Sequence, residues 1–250
     1  RDSSTSRGLG DVYKRQIIGH VGIDETNRRF FVSDHGKLKI FAYDLDSVLT
    51  TPEYQPSVKI DMKKKLFPDD YLYLNDTLCI AKIIEPIGNN DYKPSVARWN
   101  MATEEINPMP YEYPDLKKVR FIYAASAEHQ LYVQCYTQYD LMTICDFNGN
   151  LKCNIYGPKW VNEKTQTQHY SLGVEFCGDK ILALYSGGDH RTDAYYPTKF
   201  LVFDLNGNYL KTLETGYMIT DFCYDKENNR LIINLNDEIQ FAYLDLEGII

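Results

Sequence analysis

Residues 146–157 read DFNGNLKCNIYG, and residues 204–216 read DLNGNYLKTLETG. Each phrase places an Asn-Gly pair between two runs of strand-forming residues, and a shortened version, DLEGII, ends at residue 250. Asn-Gly favours a two-residue hairpin, because a type I′ turn requires positive φ at both central positions. The phrases lack the ligand spacing and the final glutamate of a calcium loop. We therefore interpret the repeated phrase as strand, tight turn and strand.

The phrase recurs at intervals that fit one repeated structural unit. Its first residue is Asp44, Asp146, Asp204 and Asp245, and a looser version has Asn100. Successive positions are 56, 46, 58 and 41 residues apart. A period of about 40–50 residues with four short strands in each unit is typical of β-propeller blades. The sequence therefore predicts an all-β chain, a β-propeller of four-stranded antiparallel blades with about five blades present.

The predicted propeller domain covers residues 17–250. Its blades are assigned to residues 20–61, 71–111, 120–157, 170–216 and 218–250. Residues 1–16, RDSSTSRGLGDVYKRQ, have no apolar periodicity and no apolar segment of the kind found in a signal peptide. We expect this segment to be a disordered, non-native, adapter-like stretch that replaces the native N-terminus and any export signal.

The C-terminal half carries a resemblance to a known family. The stretches are DLMTICDFNGNLKCNIYGPKW (140–160), YYPTKFLVFDLNGNYLKTLETGY (195–217) and DFCYDKENNRLIINLNDEIQFAYLDLEGII (221–250). They resemble the TolB-like six-bladed β-propeller proteins of bacteria. The resemblance implies a ring of six blades, export from the cytoplasm, often a lipid anchor at the N-terminus, and no established enzymatic role. Since five units are readable, we expect an N-terminally truncated, open ring that lacks one blade.

Two expectations concern individual strands. In an open ring, the outward sides of the first and last blades should expose apolar residues, namely Phe30, Val32, Ile232 and Leu235. The six cysteines lie in strand-like runs and form no Cys-x-x-Cys pair, so we expect buried free thiols, although the even count leaves disulfides open. In the third blade, hairpin registers should bring Cys135 near Cys145, and Cys145 near Cys153.

Charge and hydropathy exclude several classes of partner. The net charge is −8 and the isoelectric point is about 5.2. Nucleic acids and anionic membrane surfaces are bound through basic patches, so we expect neither as a partner. No window approaches the roughly 18 consecutive apolar residues of a membrane-spanning helix, so we expect no transmembrane segment.

The long polar and aromatic insertions fall at residues 63–70, 85–95, 157–170 and 186–199. In four-stranded blades these connections lie on one face of the disc, and loops on a rigid scaffold commonly carry function. We therefore expect a binding face there. Its candidate ligand-binding residues are Asp34, His35, Tyr139, Asp140, Trp160, His169, Asp189, His190, Arg191, Asp193, Tyr195 and Tyr196.

Two functions are compatible with this face, because aromatic residues with mixed charges suit a protein or a carbohydrate. The first is a non-enzymatic binding or scaffold propeller of the bacterial cell envelope, periplasmic or on the surface. The alternative is a propeller enzyme, a hydrolase or lyase, with metal or acid–base residues at the channel mouth. Catalysis needs several ionisable groups that converge, whereas the dense cluster here is the single loop 189–193. The sequence therefore favours binding and predicts no catalytic residue, no metal site and no cofactor.

Overall fold

The computed structural model describes residues 18–62, 66–88 and 91–250. Within these residues, nineteen strands form five antiparallel sheets in which neighbouring strands are consecutive in the chain. Four sheets have four strands, and the last sheet of the described chain has three. This series of small meandering sheets confirms the predicted all-β propeller, with five blades. The expectations for residues 1–16 lie outside the described residues.

The chain forms two compact units that divide between Met109 and Pro110. The first unit holds blades one and two, with strands β1 (Ile18–Asp24), β2 (Arg29–Asp34), β3 (Lys39–Asp44), β4 (Ser57–Asp61), β5 (Phe67–Asn75), β6 (Leu78–Gly88), β7 (Asp91–Asn100) and β8 (Glu105–Pro108). The second unit holds blades three to five. Its strands are β9 (Phe121–Ser126), β10 (Leu131–Tyr136), β11 (Leu141–Asp146), β12 (Leu151–Tyr156), β13 (Thr167–Cys177), β14 (Lys180–Asp189), β15 (Lys199–Asp204), β16 (Tyr209–Glu214), β17 (Ile219–Asp225), β18 (Arg230–Leu235) and β19 (Phe241–Asp245).

The repeated phrase forms the outer hairpin of blades three and four, but not with the type I′ turn that Asn-Gly predicted. Positive φ occurs at Gly149 (80°) and not at Asn148. The Gly149 N–H donates to the Asp146 carbonyl, and the Asp146 N–H donates to the Asn150 carbonyl. The Asp146 carboxylate also accepts the backbone N–H groups of Asn148 (2.8 Å) and Asn150 (2.9 Å). These bonds favour a type I turn followed by a left-handed glycine, the other common hairpin connection.

The two copies of the phrase touch each other in the second unit. The turn of blade four lies against β12, the outer strand of blade three. There the Cys153 thiol donates to the Asn206 carbonyl at 3.4 Å. A Cβ on Gly207, which has φ of 85°, would lie 2.7 Å from the Cys153 sulfur. Glycine is therefore required at this position by both its backbone conformation and the close approach of the neighbouring blade.

A short helix, α1 (Leu45–Thr50), follows β3, although no capped helix was expected from the sequence. The Asp44 side chain accepts the Ser47 N–H at 2.7 Å, which is a standard N-cap. Asp44 thus caps a helix, whereas the equivalent aspartates Asp146 and Asp204 organise turns. With one turn and a half, this helix is too short to show apolar periodicity in the sequence.

All four of the expected long insertions are shorter than the sequence indicated, and β5 already begins at Phe67, within the 63–70 insertion. Strands β6 and β7 extend to Gly88 and from Asp91, so most of the 85–95 insertion is a hairpin arm. Strand β13 begins at Thr167, and β14 continues to Asp189. Polar residues enter these strands because ladder pairing with the neighbouring strand satisfies their backbone groups irrespective of side-chain polarity.

Each unit has its own apolar core. In the first unit, Phe31, Ile40 and Trp99 are fully buried, and Trp99 packs edge-to-face on Tyr71 at 5.2 Å between ring centres. In the second unit, β10 is buried at all six positions, as expected for a strand covered on both faces. The last core lies between blades four and five and contains Leu235.

The expectation that Leu235 contacts water is therefore wrong. Leu231, Ile233 and Leu235 alternate along β18 and share the face that packs on blade four. Ile232 lies on the opposite face of β18 and is half-buried, because side chains alternate along a strand. Phe30 and Val32 of blade one are also half-buried.

All six cysteines lie within the described residues and are free thiols. Cys79, Cys135, Cys145 and Cys177 are buried as expected, but Cys153 is half-buried and Cys223 is exposed. The three cysteines of blade three occupy adjacent strands as predicted, yet the expectation that Cys135 lies near Cys145 is wrong. Cys135 lies opposite Met142, and Cys145 lies opposite Tyr132. The offset is three residues, an odd number, so the two thiols point to opposite faces of the blade.

Candidate functional site

Three connections of the second unit meet at one end of blades three and four. They are the β10–β11 turn, the β12–β13 loop and the β14–β15 loop. The Thr165 N–H donates to the Gln138 carbonyl at 3.3 Å, and the His190 N–H donates to the Gln166 carbonyl at 3.2 Å. The main chain of all three connections is thus linked by hydrogen bonds.

An aromatic surface, made of Tyr113, Tyr156 and Trp160, lies at this end of the blades. The Trp160 ring centre is 5.7 Å from Tyr113 and 5.1 Å from Tyr156, and the two tyrosine hydroxyls are 3.3 Å apart. This hydrogen bond raises the pKa of Tyr113 to about 12. Tyr156 is 50% exposed, and the other two rings are half-buried, so the surface is open to solvent.

Tyr139 supports the aromatic surface from below. Its ring centre is 6.3 Å from that of Trp160, and the residue is buried. Its hydroxyl donates to the Lys117 carbonyl at 2.8 Å and accepts the Lys117 N–H at 3.2 Å. These bonds hold the buried Tyr139 ring in place beneath Trp160.

A buried polar cluster, made of Asp140, His169 and Tyr185, adjoins the aromatic surface. His169 Nδ1 is 3.2 Å from the Tyr185 hydroxyl and 3.7 Å from Asp140 Oδ1, and Asp140 Oδ2 accepts the Lys159 N–H at 2.9 Å. Asp140 and His169 are each 1% exposed. Burial lowers the pKa of His169, against the opposing effect of the Asp140 carboxylate, so the neutral imidazole is favoured.

Glycine is required where the main chain crosses this cluster. A Cβ on Gly157 would lie 2.2 Å from the Asp140 carboxylate, and the Gly157 N–H donates to the Asp140 carbonyl at 2.8 Å. A Cβ on Gly188 would lie 1.9 Å from the Ala194 carbonyl oxygen. At Gly157 the main chain lies so close to the Asp140 carboxylate, and at Gly188 so close to the Ala194 carbonyl oxygen, that only a residue without a Cβ fits.

The ionic loop, residues 189–196, presents charged groups beside the cluster. The Asp189 carboxylate accepts the Arg191 N–H at 2.9 Å and the guanidinium at 3.3 Å, and these contacts lower its pKa. His190 Nδ1 lies 3.0 Å from the Gln166 carbonyl. Tyr195 is the last residue of a single 3₁₀ turn that begins at Asp193, and its ring stacks on Tyr196 with ring centres 4.2 Å apart. His190 and Arg191 are exposed, and Asp189 is half-buried.

Two of the twelve candidate residues, Asp34 and His35, belong to the first unit. Asp34 is buried, accepts the Lys37 N–H at 3.0 Å and pairs with the Lys37 ammonium group at 3.4 Å. It lines a cavity of about 300 Å³ with Val32, Phe41 and Tyr43 among its walls. His35 packs edge-to-face on Phe67, at 6.0 Å between ring centres.

The other ten candidates all lie at the loop end of the second unit. His169 differs from its expected environment, because it lies in β13 and is buried rather than exposed on a loop. Sequence reasoning missed Tyr113, Tyr156, Lys159 and Tyr185. Lys159 adjoins Trp160 in the same loop, so its position was available from the sequence, whereas Tyr113 reaches the surface only through tertiary contacts.

No three His, Cys, Asp or Glu side chains converge closely enough to hold a metal ion among residues 18–62, 66–88 and 91–250. In the same residues, no helix has the length and apolar character needed to span a membrane.

Comparisons with known proteins support the fold. No protein-family model matches the chain, and no curated protein matches it by sequence. Among solved structures, the chain is similar to one from B. thetaiotaomicron described as the extracellular domain of a one-component system, with a TM-score of 0.58 and 11% identity. The match covers 92% of this chain and 28% of that one, so the present chain spans little more than a quarter of that structure.

Two further structures have similar scores. One is a chain of a nidogen/laminin complex, with a TM-score of 0.58, 11% identity and coverage of 94% of this chain and 78% of that one. The other is a gluconolactonase from Xanthomonas campestris, with a TM-score of 0.56, 16% identity and coverage of 87% and 69% respectively. At these identities the likeness defines the class of protein, a β-propeller, and its fold alone.

Proposed function

We propose that this chain is a non-enzymatic binding propeller of the bacterial cell envelope, and that it engages a protein or a glycan through the aromatic surface. The observation that carries this proposal is the group of Tyr113, Tyr156 and Trp160, held open to solvent beside the ionic loop. Tryptophan, tyrosine and arginine are the residues that most often dominate the energy of binding interfaces.

The rigidity of this surface also supports binding. Tyr139 is fixed beneath Trp160 by two hydrogen bonds to Lys117, and Gly157 ties the loop to Asp140. A surface that is already ordered loses little conformational entropy when a ligand binds. The Tyr156 and Tyr113 hydroxyls at this surface provide hydrogen bonds that orient a ligand.

The two tryptophans make the proposal simple to test. Trp99 is 1% exposed in the first unit, whereas Trp160 is half-buried in the aromatic surface. Soluble cell-wall oligosaccharides and purified envelope proteins should be titrated while tryptophan fluorescence is recorded. A ligand of the aromatic surface should change the Trp160 emission, and Trp160→Phe should remove the change while Trp99→Phe keeps it. A saturating ligand whose affinity is unaffected by Trp160→Ala and Tyr156→Ala would contradict the proposal.

A second candidate, a propeller hydrolase, is favoured by one specific observation. Asp140 and His169 form a close acid–base pair beside Tyr185, at the end of the blades where the loops gather. A neutral histidine next to a carboxylate is an arrangement that general-base catalysis uses. The fold likeness to a gluconolactonase makes a lactone the first substrate to test. The burial of both side chains argues for a structural role, because a base must reach its substrate.

Lactone hydrolysis, followed by proton release in a weakly buffered solution, separates the two candidates. Turnover that His169→Gln abolishes, with the melting temperature unchanged, would establish the hydrolase. A rate equal to the uncatalysed rate for a panel of lactones would leave the binding propeller as the supported function.

Membership of the TolB-like six-bladed family and a place in the cell envelope are parts of this proposal. They rest on the resemblance of residues 140–160, 195–217 and 221–250 and imply export, with a lipid anchor on the native N-terminus. The acidic net charge of −8 supports the further expectation that nucleic acid is not a partner. Fractionation of cells that express the native gene, with detection in the envelope or the cytosol, tests the location.

A further inference from the structure

Strand β19 is the edge of a three-stranded sheet, whereas the other sheets of the described chain have four strands. The Leu235 N–H donates to the Gln240 carbonyl, and the Leu246 N–H donates to the Asn229 carbonyl. In the antiparallel β18–β19 register, alternate residues point their backbone groups to the partner strand. The N–H and C=O groups of Phe241 and Tyr243 therefore point away from β18, toward the edge with which no strand of the described residues pairs.

A groove runs beside this edge, between β19 and β16, the outer strand of blade four. Its volume is about 610 Å³, and its walls are mostly apolar: Leu213, Tyr217, Ile233, Leu235, Ala242 and Leu244. The opposite face of β19 exposes two aromatic rings, because Phe241 is 68% exposed and Tyr243 is 67% exposed, and the Arg230 guanidinium lies 5.5 Å from the centre of the Tyr243 ring. Among the described residues, no strand pairs with these backbone groups of β19, and apolar or aromatic side chains lie on both sides of them.

Charge decides which kind of strand fits this position. Asp237 and Glu238 precede β19, Asp245 is the last residue of the strand, and Glu247 follows it. Glu214 lines the groove and pairs with Lys199 at 3.6 Å. Antiparallel pairing of two copies of β19 would set the Asp237–Glu238 end against the Asp245–Glu247 end. Like charges directly opposite in a sheet are destabilising, so a second copy of this chain is disfavoured.

We propose that the β19 edge is a docking site for an extended segment of a partner protein, with alternate apolar residues and basic residues at its ends. The segment pairs its backbone with Phe241 and Tyr243, as in β-strand addition to a sheet edge. Its apolar side chains fill the groove against Leu213 and Leu244, and its lysines or arginines face the carboxylates at the two ends of β19.

The test uses the full chain and a labelled peptide, acetyl-Lys-Val-Thr-Val-Lys-Val-Thr-Val-Lys-amide, in a fluorescence-anisotropy titration. Tyr243→Pro removes the outward N–H without removing a β18–β19 hydrogen bond, a substitution that edge strands tolerate. Tyr243→Thr is the matched control, since it removes the same ring and keeps the N–H. We expect Tyr243→Pro to bind the peptide at least about tenfold more weakly than Tyr243→Thr, the loss that about 1.4 kcal/mol produces.

Charge reversal provides a second, independent variant. Asp237→Lys with Glu238→Lys should weaken the lysine peptide and strengthen a peptide with glutamate in place of lysine. Circular dichroism and the melting temperature establish that each variant is folded. Equal affinities of Tyr243→Pro and Tyr243→Thr, or no binding of the lysine peptide, would overturn the proposal. So would a concentration-dependent dimer that Tyr243→Pro dissociates, because a second copy would then be the occupant.

Discussion

The Nδ1 atom of His169 and the hydroxyl of Tyr185 lie 3.2 Å apart in the interior of blade four. Both residues are buried, and the neighbouring Asp140 carboxylate is the nearest negative charge. Burial lowers the pKa of His169 below its ordinary value of 6.5, so the neutral imidazole fits this site better than the imidazolium does.

This pair predicts a loss of stability in mild acid. Since the folded pKa of His169 is lower than the unfolded pKa, the unfolded chain binds the proton first. The contribution of the neutral His169 to the free energy of unfolding is complete above a pH of about 6.5. It falls as the pH decreases, by at most about 1.4 kcal/mol per pH unit. Urea unfolding at pH 7.5 and at pH 5.5 measures the difference. His169→Gln should reduce it, and His190→Gln, at an exposed site, should not.

Gly157→Ala should destabilise the second unit. The added Cβ would lie 2.2 Å from the Asp140 carboxylate, so the loop or the carboxylate must shift. Overpacking of this kind costs about 1–3 kcal/mol. Gly88→Ala is the matched control, because no atom of the described residues lies within 4 Å of a Cβ at that position. Equal melting temperatures of the two variants would show that the main chain at Gly157 is not closely packed against the Asp140 carboxylate.

Asp146→Ala should weaken the outer hairpin of blade three. The carboxylate accepts the backbone N–H groups of Asn148 and Asn150 and the Asn150 side-chain amide at 2.8–2.9 Å. Loss of these bonds at a largely exposed turn should lower the free energy of unfolding by about 1 kcal/mol. Asp146→Asn retains an acceptor oxygen and should lose less. Chemical denaturation checks the order, and a larger loss in the Asn variant would refute the role of the carboxylate.

Cys223 should be the first thiol of the native protein to react with Ellman's reagent. It is exposed in β17, whereas Cys79, Cys135, Cys145 and Cys177 are buried. Burial raises the pKa of Cys145 to about 11 and that of Cys79 to about 12, which lowers the thiolate fraction further. Cys223→Ser should remove the fast phase of the reaction. A fast phase that persists in this variant, from the half-buried Cys153 or from a buried thiol, would show that Cys223 is not the first thiol to react.

The sequence predicted the blades because their period is repeated and local. Asp146 and Asp204 begin equivalent turns, and the Asn-Gly pair marks each hairpin. The turn type was not predictable, because Asn-Gly also suits a type I turn with a left-handed glycine, and the bulges next to Cys145 and Phe203 select between the two. The ends of the strands were not predictable either, since backbone pairing with the neighbouring strand extends β13 over polar residues such as His169.

The candidate site was predicted in part for a similar reason. Trp160 and the ionic loop stand out because aromatic and charged residues are concentrated in connections. Tyr113 and Tyr185 could not be assigned to the same place, because they reach it through contacts between distant segments. The burial of Asp140 depends on the main chain at Gly157, which packs against its carboxylate, and no local sequence pattern indicates that contact.

The contact between Cys153 and the Asn206–Gly207 turn makes the packing between blades three and four sensitive to oxidation of the Cys153 thiol. The thiol is half-buried, donates to the Asn206 carbonyl, and lies where even a single methyl group on Gly207 would collide. Oxidation to a sulfinic acid replaces the S–H donor with two bulky, negatively charged acceptor oxygens. These oxygens would repel the Asn206 carbonyl and push the turn outward. Exposure to peroxide should therefore weaken the packing between the two blades, while the hydrogen bonds between the strands inside each blade remain.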